Sequence, residues 1–217
     1  MKPISQNTKR ISAAIALLGL ASCATIGAAN YDALTDAMMK GSFRTEGIAT
    51  IDRLQQDDSN RECSQIGTGS LPDEKAKVIE AANFKTIKWP SDGKFLGDWK
   101  EGEKLAQNGR GMTWTDTDPK ANGGNCYNCH KISEQEISHG TIGPSLYQYG
   151  KIRGVTDPNA PSSKAMLEYT WGKLWNAKAY NACSNMPRLG HVGVLNAKQI
   201  RDIMALLLDP ASPVNSK

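Results

Sequence analysis

The chain of 217 residues is poor in the residue types that carry most site chemistry: it has three histidines and five cysteines, and aromatic residues make up 6%. No basic run is longer than Lys9-Arg10, and basic and aromatic residues do not alternate, so nothing indicates nucleic-acid binding. Beyond the N-terminus no apolar run reaches the roughly 18 residues of a membrane span. Hydrophobic residues make up 39% and charged residues 22%, which is typical of a folded globular protein.

The N-terminus begins with basic residues and continues with an uninterrupted apolar run at 11–21. This order predicts a secretory signal peptide rather than a buried helix, and the run is too short to span a bilayer. Two cleavage sites stay open: residues 1–29 are removed as an ordinary signal, or residues 1–22 are removed and Cys23 carries a lipid anchor. Both predict export to the periplasm. The basic residues of the signal account for most of the net charge of +4, which therefore does not indicate an acidic partner.

Two cysteines and one histidine lie in the motif Cys126-Tyr127-Asn128-Cys129-His130. C-x-x-C-H is the attachment pattern of c-type haem, in which the two thiols bind the haem covalently and the imidazole binds its iron. A structural disulfide and half of a zinc site are the alternatives, but the other cysteines are single and far apart, which disfavours zinc. The motif predicts one covalently attached haem c, held by Cys126 and Cys129, with His130 as an axial iron ligand.

A second axial ligand is expected on the opposite side of the iron. Met186 is favoured because Pro187 follows it in a stretch without helical periodicity. His191 on the same stretch is the second choice, whereas His139 is too close in sequence to His130 to reach the opposite face easily. Two further methionines lie in helical patterns, where core packing is expected, and an open iron remains an alternative. These two methionines are Met166 and Met204.

The pair Gly143-Pro144 follows His130 closely enough for a loop to return beneath the imidazole. The Pro144 carbonyl can then accept a hydrogen bond from His130 Nδ1–H and fix the ring orientation. Leu146 is expected to pack on the haem edge. The alternative is that Gly-Pro is only a turn.

Cys63 and Cys183 remain, and in an oxidising compartment two spare thiols usually pair. We therefore predict a disulfide between them, which would join the N-terminal part of the chain to the segment just before Met186. Two free buried thiols are the alternative, and a role of Cys183 as a metal ligand or nucleophile is a further one.

Apolar spacing predicts helices and shows no strand alternation, so we expect an all-α protein. The predicted helices cover residues 73–83, 96–107 and 162–178, the last capped by Ser162 or Ser163, and a final helix runs from its cap Asn196 to Asp209-Pro210. Gly102 costs stability inside a helix and predicts a close approach to a second helix.

The predicted organisation has three parts after the signal. Residues 30–95 form an N-terminal extension that packs on the haem domain or on a partner. Residues 96–210 form the haem domain, and residues 211–217 form a tail.

With these residues in view, the chain resembles class I cytochromes c and, more closely, the SoxX subunits of SoxAX cytochromes. The general resemblance rests on Cys126–His130, on Gly143-Pro144-Ser145-Leu146 and on Met186-Pro187. The specific resemblance rests on longer stretches. These are RLQQDDSNRECS (53–64), GMTW (111–114), GGNCYNCH (123–130), GTIGPSLYQYGK (140–151), NACSNMPRLGH (181–191) and DPASPVNS (209–216).

The resemblance implies a class I cytochrome c-like haem domain and a set of partners. SoxX-like chains pair with a SoxA-like cytochrome subunit that has one or two haems. The complex is an L-cysteine S-thiosulfotransferase that couples thiosulfate oxidatively to a cysteine of the SoxYZ carrier. The reacting cysteine is expected on SoxA, so this chain would hold no catalytic residue and would pass electrons to a small cytochrome c.

Two other functions are alternatives. A free-standing periplasmic electron carrier is the main alternative, and the long extension argues against it. A haem peroxidase is expected to carry two haem motifs, and this sequence has one. A membrane contact is expected only through the lipid anchor at Cys23.

Overall fold

The computed structural model describes residues 30–67, 69–116 and 122–216. The predicted signal peptide and Cys23 lie outside the described residues. The chain divides into two compact units, Met1–Arg44 and Thr45–Lys217. The described part of the first unit holds helix α1, Tyr31–Ser42, which begins where the Asn30 side chain accepts a hydrogen bond from the Ala33 N–H at 3.0 Å.

The regular secondary structure in the described part of the second unit is helical. Its α-helices are α2 (Asp58–Gln65), α3 (Asp73–Phe84), α4 (Trp99–Gln107), α5 (Tyr149–Ile152), α6 (Lys164–Trp175) and α7 (Ala197–Leu208). Short 3-10 helices lie at Ile51–Leu54, Cys126–Asn128, Pro161–Ser163 and Ala177–Ala179. The described residues contain no strand, only one isolated antiparallel bridge between Glu46 and Ala49. The all-α prediction is confirmed, and no described helix is long and apolar enough to cross a membrane.

Helix α7 is the centre of the core. Its predicted cap is confirmed: the Asn196 side chain accepts from the Gln199 N–H, and the Gln199 side chain accepts from the Asn196 N–H, which forms a capping box. The predicted apolar stripe is buried, and the helix ends before Asp209 as expected. The stripe consists of Ile200, Ile203, Met204, Leu207 and Leu208.

Helix α4 crosses α7 at very close range. A Cβ placed on Gly102 would lie 2.1 Å from the Asp202 carbonyl oxygen, so only glycine allows this approach. The Asp202 carboxylate, which is buried, also accepts a hydrogen bond from the Asp98 N–H at 2.9 Å just before α4 begins. The prediction that Gly102 marks a helix contact is confirmed.

The helix predicted at 162–178 is observed as α6, Lys164–Trp175, and both of its ends differ from the prediction. A 3-10 turn precedes it, and the Ser163 hydroxyl donates to the Asp157 carbonyl instead of capping the helix. The helix stops at Trp175 because Asn176 adopts an extended conformation and donates from Nδ2 to Asn83 Oδ1 and Thr86 Oγ1, both at 2.9 Å.

The segment 45–95 packs against the rest of the second unit. Ile87 belongs to the buried apolar cluster, and the Trp171 Nε1–H donates to the Lys88 carbonyl at 3.0 Å. Residues 45–95 of the predicted extension 30–95 therefore pack on the rest of this unit, and a contact of the extension with a partner stays a prediction.

Candidate functional site

The predicted haem-attachment motif forms one tight turn. The N–H groups of Cys129 and His130 both donate to the Cys126 carbonyl, at 3.1 and 2.9 Å. Neither motif cysteine is in a disulfide, and Cys126 packs against the buried apolar cluster. The turn thus presents two unpaired thiols followed directly by an imidazole, the donor set that covalent haem attachment requires.

The motif is anchored to helix α4. The Gly124 N–H donates to the Leu105 carbonyl at 2.8 Å, and the Tyr127 hydroxyl donates to Glu103 Oε1 at 3.0 Å. Burial and the nearby Glu103 charge raise the pKa of Tyr127, so its phenol remains a neutral donor. The sequence does not predict this pair, because no local pattern links Glu103 in the helix to Tyr127 in the motif, which lies 24 residues later.

The His130 ring is oriented by a backbone acceptor. Its Nδ1 lies 2.7 Å from the Pro144 carbonyl oxygen, where the sequence predicted it. A carbonyl oxygen can only accept, so Nδ1 carries a proton and Nε2 is the ring nitrogen left to bind a metal. The ring is therefore in the tautomer that binds a metal through Nε2.

The loop that carries Pro144 is held closely against the motif. A Cβ placed on Gly143 would lie 2.1 Å from His130 Cε1, so glycine is needed beneath the ring. Leu146 is half-buried against the apolar cluster, and its contact with a haem edge stays a prediction. Three backbone hydrogen bonds of 2.7–2.8 Å fix the loop: Gly140 N–H to Tyr127, Gly143 N–H to Cys129 and Leu146 N–H to Lys131.

Met186 lies in an irregular segment after the last 3-10 helix. Its side chain is half-buried and packs against the same apolar cluster as Cys126 and Leu146. Its N–H donates to Ser184 Oγ at 3.2 Å. Three of the residues predicted to surround the haem therefore pack against the same buried apolar cluster, while the role of Met186 as an iron ligand stays a prediction.

The other candidate axial ligands are placed differently. Met204 is fully buried in α7, and Met166 lies in α6 with its sulfur 3.8 Å from the Tyr149 hydroxyl, so both methionines pack in helices as predicted. His191 is exposed and His139 is half-buried.

The predicted disulfide is present, and an ion pair lies beside it. Cys63 and Cys183 are bonded, with their Cα atoms 5.5 Å apart. Arg188 Nη1 lies 2.5 Å from Asp57 Oδ2, a contact that the sequence did not predict. Burial acts to raise the pKa of Asp57, but the Asn60 N–H and the Arg188 guanidinium outweigh it and hold the pKa below its usual value. Asp57 is therefore a charged partner at neutral pH.

Trp175 carries an unsatisfied donor. Its indole N–H is buried and has no hydrogen-bond partner among the described residues. Trp175 lines two open clefts of about 380 and 370 Å³, together with Lys88 and Gly190. Such an N–H is a hydrogen-bond donor of the kind that a carboxylate group satisfies.

The residues present therefore fit a haem c better than a metal ion alone. Among the described residues, no group of three or more His, Cys, Asp and Glu side chains is placed to hold a metal. Burial raises the pKa of the Cys126 thiol to about 12.

Comparison with known proteins points to the same chemistry. The sequence model of the family described as "Cytochrome c" matches residues 99–209. A protein of Aquifex aeolicus (strain VF5), described as an uncharacterized lipoprotein, is 39% identical over 133 residues. That match covers 60% of this chain and 58% of the relative, so this chain spans less than two thirds of the relative's length.

Proposed function

Because the chain belongs to the cytochrome c family and carries a covalently attached haem c, we propose that it is the electron-transfer subunit of a SoxAX-like complex in the periplasm. The complex would couple thiosulfate oxidatively to a carrier-protein cysteine, and this chain would accept the electrons. When bound, the haem supplies a one-electron iron centre.

The chain's own residues hold and close that centre. The Cys126 and Cys129 thiols would form the thioether links, and His130 Nε2 would bind the iron while the Pro144 carbonyl fixes the ring. The Met186 thioether would hold the iron as its second protein ligand. Two protein ligands exclude substrate from the iron, and methionine raises its potential, which suits an electron acceptor rather than a haem catalyst.

The observation that carries the electron-transfer function is the 2.7 Å contact between His130 Nδ1 and the Pro144 carbonyl. It turns Nε2 into the ring nitrogen available to a metal, directly after two unpaired thiols, which is the arrangement a haem c needs. The narrower SoxAX role is supported by the sequence resemblance and by the cysteines. The four described cysteines lie in the motif or in the disulfide, so none of them is spare for reaction with thiosulfate. A partner would supply that thiol.

Purification of the tagged chain from its native host under mild conditions tests the SoxAX role. We expect a second c-type cytochrome to co-purify in a stable complex that contains more haem than one per tagged chain. A homogeneous monomer with one haem would instead support the free-standing electron carrier.

We also propose that the chain is exported with a lipid on Cys23, because the Aquifex relative is described as a lipoprotein. Mass spectrometry of the mature N-terminus checks this. A diacylglyceryl-modified Cys23 at the N-terminus is the expected result, whereas an unmodified N-terminus at residue 30 would show ordinary signal cleavage.

Replacing Gly143 by alanine should disturb the His130 ring. The new Cβ would lie 2.1 Å from His130 Cε1, and the hydrogen bond to Pro144 prevents the ring from moving away freely. We expect the free energy of unfolding of the haem-loaded protein to fall by about 2 kcal/mol. Urea unfolding followed by haem absorption measures this, with Ile142→Ala as the control because that neighbouring side chain is 80% exposed.

A further inference from the structure

The segment that carries Met186 is bonded to helix α2, which lies in the N-terminal part of the second unit. On one side of Met186, Cys183 is bonded to Cys63 of helix α2. On the other side, Arg188 forms its 2.5 Å ion pair with Asp57, the residue that caps the start of the same helix. Met186 therefore lies between two attachment points that both lead to α2.

A third attachment lies beside the disulfide. The Ala182 N–H donates to Glu80 Oε1 of helix α3 at 3.1 Å, and the Ala182 carbonyl accepts from Lys178 Nζ at 2.9 Å. Both backbone groups next to Cys183 are thus hydrogen-bonded to side chains. Between the attachment points, the described contacts of the Met186 N–H are local, since it donates only to Ser184 Oγ.

From these contacts we propose that α2 and α3 act as a clamp that holds Met186 in place as the sixth iron ligand, with Asp57, Cys63 and Glu80 as positioning residues. The inference rests on the proposed ligation of the iron by Met186. It assigns the N-terminal segment a role in the haem site itself, in addition to any contact with a partner.

The proposed contacts would act on the fraction of molecules in which Met186 is detached from the iron. An external ligand binds ferric haem only while Met186 is detached, so its apparent affinity scales with the fraction of molecules in the detached state. Contacts that fix the backbone on both sides of Met186 lower that fraction, because a detached segment would have to break them. Removing one attachment should therefore tighten the binding of an external ligand without changing the haem itself.

Asp57→Asn isolates one attachment. Asparagine is also a good helix cap, so the substitution keeps the cap of α2 and removes the charge that pairs with Arg188. We expect imidazole to bind the ferric haem of the Asp57→Asn protein about fivefold more tightly than that of the wild type. This factor corresponds to the loss of an ion pair that contributes about 1 kcal/mol. The double substitution Cys63→Ala/Cys183→Ala should increase the imidazole affinity of the ferric haem about tenfold or more.

The matched control is Asp92→Asn. Asp92 pairs with Arg201 of α7 at 2.6 Å and is 44% exposed, against 41% for Asp57, but its pair does not adjoin Met186. Imidazole affinity should stay at the wild-type value in Asp92→Asn, while urea unfolding midpoints of the two variants should be similar. Equal imidazole affinities in Asp57→Asn and Asp92→Asn would overturn the clamp.

The same titration on a Met186→Ala background separates the two proposals. If Met186 is the ligand, Met186→Ala alone tightens imidazole binding strongly, and adding Asp57→Asn then has no further effect. If Met186→Ala leaves the affinity unchanged, the ligation proposal fails. If Met186→Ala tightens binding and Asp57→Asn on the wild-type background does not, only the clamp fails.

Discussion

Replacing Met186 by alanine should open the haem iron to external ligands. The wild type is expected to be six-coordinate and low-spin, because the proposed ligands His130 and Met186 would both bind the iron. Alanine has no donor atom, so the ferric haem should become high-spin and the ferrous haem should bind carbon monoxide at once. The reduction potential should fall, since methionine ligation raises it.

Absorption spectroscopy measures the change directly. The weak long-wavelength band that reports a methionine sulfur on ferric iron should be present in the wild type and absent in Met186→Ala. Met166→Ala is the matched control, because Met166 is also half-buried but lies in helix α6. Persistence of the band in Met186→Ala would assign the ligand to another methionine.

Replacing Gly102 by alanine should destabilise the fold at the crossing of α4 and α7. The added Cβ would meet the Asp202 carbonyl oxygen at 2.1 Å and the Leu206 Cβ at 3.1 Å, and backbone atoms cannot rotate away. Alanine's better helix propensity recovers about 1 kcal/mol. Overpacking at such a site costs up to about 3 kcal/mol. After the gain in helix propensity is subtracted, we expect the free energy of unfolding to fall by about 2 kcal/mol.

Urea unfolding of the haem-loaded protein, followed by far-ultraviolet circular dichroism, tests this expectation. Gly41→Ala is the control, because Gly41 is also helical and its added Cβ would have no neighbour within 4 Å. That variant should be unchanged or slightly more stable. A loss of stability as large in Gly41→Ala as in Gly102→Ala would contradict the packing explanation.

Local signals in the sequence predicted the elements whose structure is decided locally. The capping box at Asn196 and the spacing of apolar residues after it determine α7 without help from distant parts of the chain. The His130–Pro144 contact was predictable for the same reason, since both residues belong to one short loop that returns to its starting point.

The features that the sequence did not predict depend on contacts between segments that are far apart in the chain. Helix α6 ends at Trp175 because Asn176 is drawn to Asn83 and Thr86, which are about 90 residues earlier in the chain. The Asp57–Arg188 pair likewise joins two segments whose local patterns are unrelated. The disulfide was predicted only because few cysteines remained to be paired, not from any spacing.

The central claim is a haem iron closed by two protein ligands, and carbon monoxide tests it most directly. The reduced, purified wild-type protein should show an unchanged absorption spectrum when carbon monoxide is added at neutral pH. Immediate formation of the carbon monoxide spectrum in the wild type would show an open iron. That result would contradict the account of this chain as an electron-transfer cytochrome with Met186 as its sixth ligand.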